Sequence, residues 1–346
     1  MTAGVAVHGP GGSSVDGVDR DVWVRWLLDV APGYRWGGRQ GIDLVRPGLE
    51  ARVLVGAYER AVTHPGERIL VECHDGAPAA ATIRRDKPME TESFGVRTAA
   101  LTQVVSPPEL PERPEVVRRL LQRACREAVE EGVGLLILRV EADDVQTLAV
   151  AQDVGFRVCE STITWLVDAA AGPAPTDLPG GVTVEVHEGD VAGVLTDDEV
   201  ERLASTTARW QLNHFRADPR LGDEAVDRFY EQWVHNIASG RWSDCIFVAR
   251  REGRLVGLAS ELTDRELYDL TGTAVRVMEW FVTVERGQGN GRHLLAAAAN
   301  HSFPGGTWHW WETQARNTPT IRRIEQTGVA VPVRSCYTLH AWPTGG

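Results

Sequence analysis

The sequence predicts an α/β (α+β) protein of two tandem domains, each a mixed, mostly antiparallel sheet flanked by helices. Three observations carry that prediction. At 346 residues the chain has room for two cores of ordinary size. Residues 168–181, DAAAGPAPTDLPGG, lie at its midpoint and offer almost nothing to bury, as expected of a linker. The stretches on either side repeat one order of elements at an offset of 173 to 174 residues: Leu120 falls on Leu294, Asp144 on Asn317 and Gly155 on Gly328. An offset held through several elements marks a duplicated domain. The expected organisation is a mobile Gly-rich tail (1–18), a first domain (19–168), a linker (169–181) and a second domain (182–346).

Taken in order, each half opens with helical material. The clearest helix spans 223–239, where Val226, Phe229, Tyr230, Trp233 and Ile237 form one apolar stripe. A β-hairpin follows in each half, turning at Asp75-Gly76 and at Glu252-Gly253. Next come apolar strands at 99–105 and 275–284, then helices carrying Val117, Leu120, Leu121 and Ala124 or Leu294, Leu295 and Ala298. Strands at 135–140 and 308–313 and a short helix ended by Gly155 or Gly328 complete each unit.

Composition removes several classes of function. No run of 18 apolar residues occurs, and the first twenty residues lack both the basic start and the apolar core of a secretory signal. The net charge of −12, with no basic run, opposes binding to nucleic acid or to an anionic membrane. Five widely spaced cysteines with no CxxC pair suit a reducing cytoplasm, and neither HExxH nor a carboxylate cluster with metal spacing is present. No metal is expected.

The informative segment is Arg286-Gly287-Gln288-Gly289-Asn290-Gly291, between the strand ending near Val284 and a helix starting near Arg292. Its glycines let backbone amides approach an anion, and the helix start adds unpaired N–H groups and partial positive charge. Arg286 and Arg292 would add charge-assisted contacts to phosphates. A Walker loop would need Gly-Lys-Ser/Thr, and a Rossmann loop GxGxxG; neither pattern is met. The segment resembles instead the Arg-x-x-Gly-x-Gly acyl-CoA loop of the GNAT N-acetyltransferase superfamily, and Asn317 and Gly328 stand where that family carries an Asn and a Gly. The region 214–239 and the ending Tyr337-Thr338-Leu339-His340-Ala341-Trp342 resemble the subgroup that acetylates nucleotide-linked amino sugars.

That resemblance implies an acyl transfer from acetyl-CoA, or another acyl-CoA, to a primary amine of a small molecule such as an amino sugar or an amino-acid-derived intermediate. It implies donor contacts from Phe281, Val282 and Val284 on the strand, from residues 286–292 and from Asn317, with the Phe281 or Val282 amide holding the thioester oxygen. Glu279, a carboxylate in an apolar strand, is the expected base and Glu312 the second candidate. The helix tyrosine that often protonates the leaving thiolate is replaced by Ile324, so Tyr337 stands in as the candidate acid. Helix capping is the competing role for Asn317. His293 is expected to face solvent. On the repeat offset Arg286 falls on Glu112 and Gly289 on Glu115, within the proline-rich 106–115, so the first half is a degenerate copy expected not to bind acyl-CoA in the usual way. Two readings stand beside the leading one: a non-catalytic CoA- or partner-binding protein, favoured by Ile324, and a mycothiol-synthase-like acetyltransferase.

Overall fold

The computed structural model describes residues 14–15, 17–30, 49–168, 173–175, 180–209, 213–272, 275–285, 288–301 and 308–343. The elements are β1 (Ser14–Val15), β2 (Val18–Asp19), α1 (Arg20–Val30), α2 (Leu49–Thr63), β3 (Glu67–His74), β4 (Ala77–Asp86), α3 (Pro88–Phe94), β5 (Thr98–Val105), α4 (Arg113–Glu130), β6 (Leu135–Glu141), α5 (Val145–Val154) and β7 (Arg157–Asp168). Then follow β8 (Val182–Glu188), α6 (Asp197–Ala208), α7 (His214–Ala217), α8 (Asp223–Ala238), β9 (Cys245–Arg251), β10 (Arg254–Thr263), α9 (Arg265–Thr271), β11 (Val275–Thr283), α10 (Asn290–Asn300), β12 (Trp308–Gln314), α11 (Thr318–Glu325) and β13 (Ala330–Ala341).

The chain forms two compact units, residues 1–161 with 335–346, and residues 162–334. Neither boundary falls at the expected linker. The end of β7 pairs with β12 in unit 2, from Thr162↔Gln314 to Asp168↔Trp308. The end of β13 pairs with β6 in unit 1, from Cys336↔Glu141 to Ala341↔Leu136. Each unit thus takes a strand from the other's stretch of sequence. The linker itself is partly anchored: Ala174 is buried, donates to Asn300 Oδ1 at 2.6 Å and accepts from Asn300 Nδ2 at 3.1 Å. Residues 169–172 and 176–179, and most of the expected tail, lie outside the described residues, while the end of that tail pairs as β1 and β2.

In unit 1, β3, β4 and β5 are antiparallel, β5 and β6 parallel, and β6 and β13 antiparallel. The predicted stripe of α4 is buried with Leu136, Leu138 and Phe156 in one core. In unit 2 the order is β7–β12–β11–β10–β9–β8, parallel only between β11 and β12. Both faces of its sheet are covered, which is why β9 reads as an unbroken apolar run. Cys245, Phe247 and Ala249 join α10 and α11, while Ile246 and Val248 join residues of α6 and α8.

Both hairpins turn as predicted, with positive φ at Asp75 and Gly76 and at Glu252 and Gly253. The short helices α3 and α9 were not predicted. Their signals are local: Pro88 in the first turn of one, Asp264 accepting from the Leu267 amide at 2.8 Å in the other, and a left-handed glycine, Gly95 or Gly272, at each end. Helix α10 lies close on the sheet at Gly257, where a Cβ would meet Leu294 Cδ1 and the Val282 carbonyl, each at 2.9 Å. Gly257→Ala is therefore expected to destabilise the protein by about 1–3 kcal/mol, read as a lower urea midpoint with unchanged slope.

Candidate active site

The glycine loop follows β11 directly. Arg286 and Gly287 lie outside the described residues; Gln288 to Arg292 do not. Gly289 has φ +78° and stands before the first residue of α10, and no side chain caps that helix. The Arg292 amide returns to the Gly289 carbonyl at 2.9 Å, whereas the Asn290 and Gly291 amides have no acceptor among the described residues. Two N–H groups are left at a helix start, the arrangement that anions occupy.

The loop is held from beneath. Arg251 on β9 donates to the Asn290 side-chain oxygen at 2.8 Å and to the Gln288 carbonyl at 3.4 Å, and pairs with Glu285 at 3.5 Å. Asn290, 1 % exposed, also donates from Nδ2 to the Glu285 carbonyl at 3.4 Å. Its side chain shapes the loop, and its amide is what it offers to a ligand. At Gly291 a Cβ would lie 2.9 Å from both Phe281 Cζ and Arg323 Nη1. Arg323 of α11 therefore reaches the start of α10, a cation that the sequence reading missed because it considered only the next residue, Ile324.

Beside this loop the sheet opens. The parallel ladder of β11 and β12 joins Val275, Arg276 and Val277 to Trp308, His309 and Trp310, then stops. Beyond it β11 stays paired with β10 to Thr283, and β12 with β7 to Gln314. The two diverging stretches, 278–283 and 311–314, present unpaired backbone edges. Phe281 and Val282 lie on the first, and the Val284 amide is already bonded to the Val256 carbonyl at 3.0 Å.

Glu279 sits at an irregularity in β11. Ser260 pairs with Trp280 and Glu261 with Met278, so Glu279 is the extra residue of a β-bulge. The bulge removes it from the strict alternation assumed from sequence and lets Met278 and Phe281 share the α10 face while Trp280 and Val282 take the other. Glu312 is exposed on the opposite edge, accepting from Thr164 Oγ1 at 3.1 Å. The two candidate carboxylates thus border one opening.

The fully buried carboxylate is a different one. Glu261 and His309 are both 0 % exposed. His309 Nδ1 lies 3.0 Å from both Glu261 oxygens, its Nε2 donates to the His301 carbonyl at 3.0 Å, and the Trp311 indole donates to Glu261 at 3.2 Å. Those bonds satisfy the burial that desolvation would otherwise penalise. Nearby, Glu188, Cys245 and His301 bring ligand-type atoms within 4.8 Å of one another. The Glu188 carboxylate is taken by His301 at 2.8 Å and by Arg276 at 3.5 Å. Burial, then the charge of Glu261, pushes the Cys245 thiol up to about 12, so it stays protonated.

Several expectations are corrected. Tyr337, with Cys336 and His340, lies in unit 1, where Tyr337 pairs with Val140 and packs on that core. Asn317 does not cap α11; its Nδ2 donates to Thr313 Oγ1 at 3.0 Å. His293 is buried rather than solvent-facing. Ile324, 2 % exposed, is core.

Residues 206–329 match the model of the acetyltransferase (GNAT) family. That segment, within unit 2, is similar to the GNAT family. The chain is similar to the dTDP-fucosamine acetyltransferase of Escherichia coli O6:H1 (strain CFT073), 27 % identical over 196 residues, covering 56 % of this chain and 75 % of that protein. Among solved structures it shares its fold with a tandem GNAT protein from the clavulanic acid biosynthesis pathway, TM-score 0.54 at 17 % identity, covering 95 % of this chain and 97 % of that one. It also shares it with a GCN5-related N-acetyltransferase from Sphaerobacter thermophilus, TM-score 0.59 at 15 % identity, covering 94 % and 93 %.

The two units treat the helix start oppositely. In unit 1 the Arg113 amide is bonded to the Leu110 carbonyl and Pro114 has none to offer. The Arg113 guanidinium, buried there, binds both oxygens of Asp144 at 2.9 and 2.6 Å, with Thr147 and Gln146 each at 3.1 Å. Unit 1 occupies its helix start with a backbone bond and a proline; unit 2 leaves two amides without an acceptor among the described residues. No helix among the described residues is long and apolar enough to cross a membrane.

Proposed function

We propose that unit 2 transfers an acyl group, acetyl by default, directly from acyl-CoA to a primary amine of a small metabolite, an amino sugar being the favoured acceptor class. The observation that carries this reading is the pair of open amides at Asn290 and Gly291 beside the diverging edges of β11 and β12. The residues present fit the donor: a glycine cradle that a side chain would fill, a helix start, and Arg323 and Arg292 to neutralise a diphosphate. The name of the curated relative supports the acceptor class.

Acyl-CoA supplies an activated thioester. The Phe281 amide holds the carbonyl oxygen as negative charge builds on it; the Val282 amide, in phase with that of Val284, points to β10. Glu279 takes the proton of the attacking amine, with Glu312 as the alternative base. Ile324, an aliphatic side chain, cannot donate to the leaving thiolate; solvent supplies that proton. The negative net charge argues against a nucleic-acid acceptor, and five free cysteines favour the cytoplasm.

The test pairs calorimetric titration of CoA with thiol release from acetyl-CoA in the presence of dTDP-fucosamine, D-galactosamine, L-lysine and cyclohexylamine. Micromolar binding and turnover with an amino sugar are expected. Gly289→Glu, which forces a side chain into a left-handed conformation and aims a carboxylate at the diphosphate, should weaken CoA binding at least about tenfold. Unchanged affinity would remove the donor site. Binding without turnover for every amine would favour the non-catalytic reading, which Ile324 supports.

A further inference from the structure

On the face of the unit 2 sheet opposite α10, three rings surround one point. Tyr230 and Trp233 of α8 stack with centroids 6.2 Å apart, and Trp280 of β11 lies 5.7 Å from Tyr230 and 5.8 Å from Trp233. Trp242 closes edge-on to Trp233 at 5.3 Å. Ser260, the ladder partner of Trp280, shares its face and is fully buried.

Ring clusters of this kind usually fill cores, and the aliphatic part of this face is one. The polar atoms set this cluster apart. The indole nitrogens of Trp233 and Trp280 and the hydroxyl of Ser260 are all buried and all without a hydrogen-bond partner among the described residues. Buried tryptophan N–H groups usually have one. Three unsatisfied polar groups around half-buried rings suit a ligand that brings its own oxygens.

The position is equally specific. The open amides of α10 put the donor on the face of Phe281 and Met278, and the rings lie on the other face. The two faces communicate where β11 and β12 part, and Trp280 is adjacent to Glu279 at that gap.

We infer that Tyr230, Trp233, Trp280 and Ser260 form the acceptor subsite and that it takes a pyranose ring. This rests on the acyltransferase reading above and names its substrate class. The apolar C–H face of the sugar lies on the rings, its hydroxyl or ether oxygens accept from the two indole N–H groups, and Ser260 bonds a further oxygen. The amine then points toward the gap, beside the Glu279 carboxylate.

The test uses the full chain carrying Trp280→Phe, Trp233→Phe or Ser260→Ala. Each removes a polar atom and keeps an apolar body. With D-galactosamine and dTDP-fucosamine as acceptors, KM for the sugar is expected to rise about fivefold to tenfold in each variant, with acetyl-CoA KM unchanged. Cyclohexylamine, a six-membered ring without oxygens, should be a poor acceptor whose KM does not respond to the substitutions. Wild-type turnover of an amino sugar with the same KM in all three variants would overturn the inference and leave the acyltransferase reading intact. Absence of turnover with any amine would remove both. Ser260→Ala, the least disruptive change, decides the matter where an indole variant fails to fold.

Discussion

Exchange of Glu279 for glutamine is expected to lower kcat by about a hundred- to ten-thousandfold while leaving CoA binding unchanged, the span associated with loss of a general base. The reason is positional. The bulge between Ser260 and Glu261 makes Glu279 the residue that β10 does not pair, so its side chain is not bound to follow either core-facing row. It stands where β11 separates from β12, near the amide that would hold the reacting carbonyl. Steady-state kinetics with acetyl-CoA and the best amino-sugar acceptor, run from acid to alkaline pH, provide the check: the variant should lose the acidic limb of kcat/KM. Glu312→Gln is the comparison. A full loss there and none at Glu279 would move the base to the opposite edge, where Glu312 accepts from Thr164.

Arg113→Ala is expected to cost about 3–5 kcal/mol of stability at neutral pH, because it strands a carboxylate that is now held by two short bonds. Burial by itself would raise the Asp144 carboxyl; the Arg113 hydrogen bonds and charge and the Thr147 amide outweigh it and hold the group below the usual carboxylate range. A depressed folded-state value stabilises the fold above the unfolded carboxylate range, about pH 4, and that contribution disappears as pH falls through the folded value. The difference between wild type and variant should therefore narrow on acidification. Urea unfolding at pH 7 and near pH 3.5 measures it, and an equal gap at both would show that the pair is not the source.

What the sequence revealed was whatever is encoded by near neighbours. The hairpin turns needed only a residue with positive φ before a glycine, the stripe of α8 only its period, and the duplication only a constant spacing. The glycine-rich segment 286–291 was legible for the same reason, being six consecutive residues. What stayed hidden depends on partners far along the chain. Glu261 meets His309 across 48 positions and Arg113 meets Asp144 across 31. The rule that a carboxylate in an apolar strand must be paired or functional was sound, but without the fold it settled on Glu279 and overlooked Glu261, the one sealed from solvent. The pairing of Tyr337 with Val140 stayed hidden for a topological reason: no local pattern says which strand the last one will join.

That strand has a consequence for how the molecule comes into being. Because residues 335–341 complete the sheet begun by residues 67–141, the amino-terminal unit remains one strand short while residues 142–334 are being translated. The edge of β6 must wait, unpaired and apolar, until residues 335–341 have been made. Nascent chains of this protein are thus exposed to edge-to-edge association for longer than a bead-on-a-string duplication would be, and to chaperone capture with it.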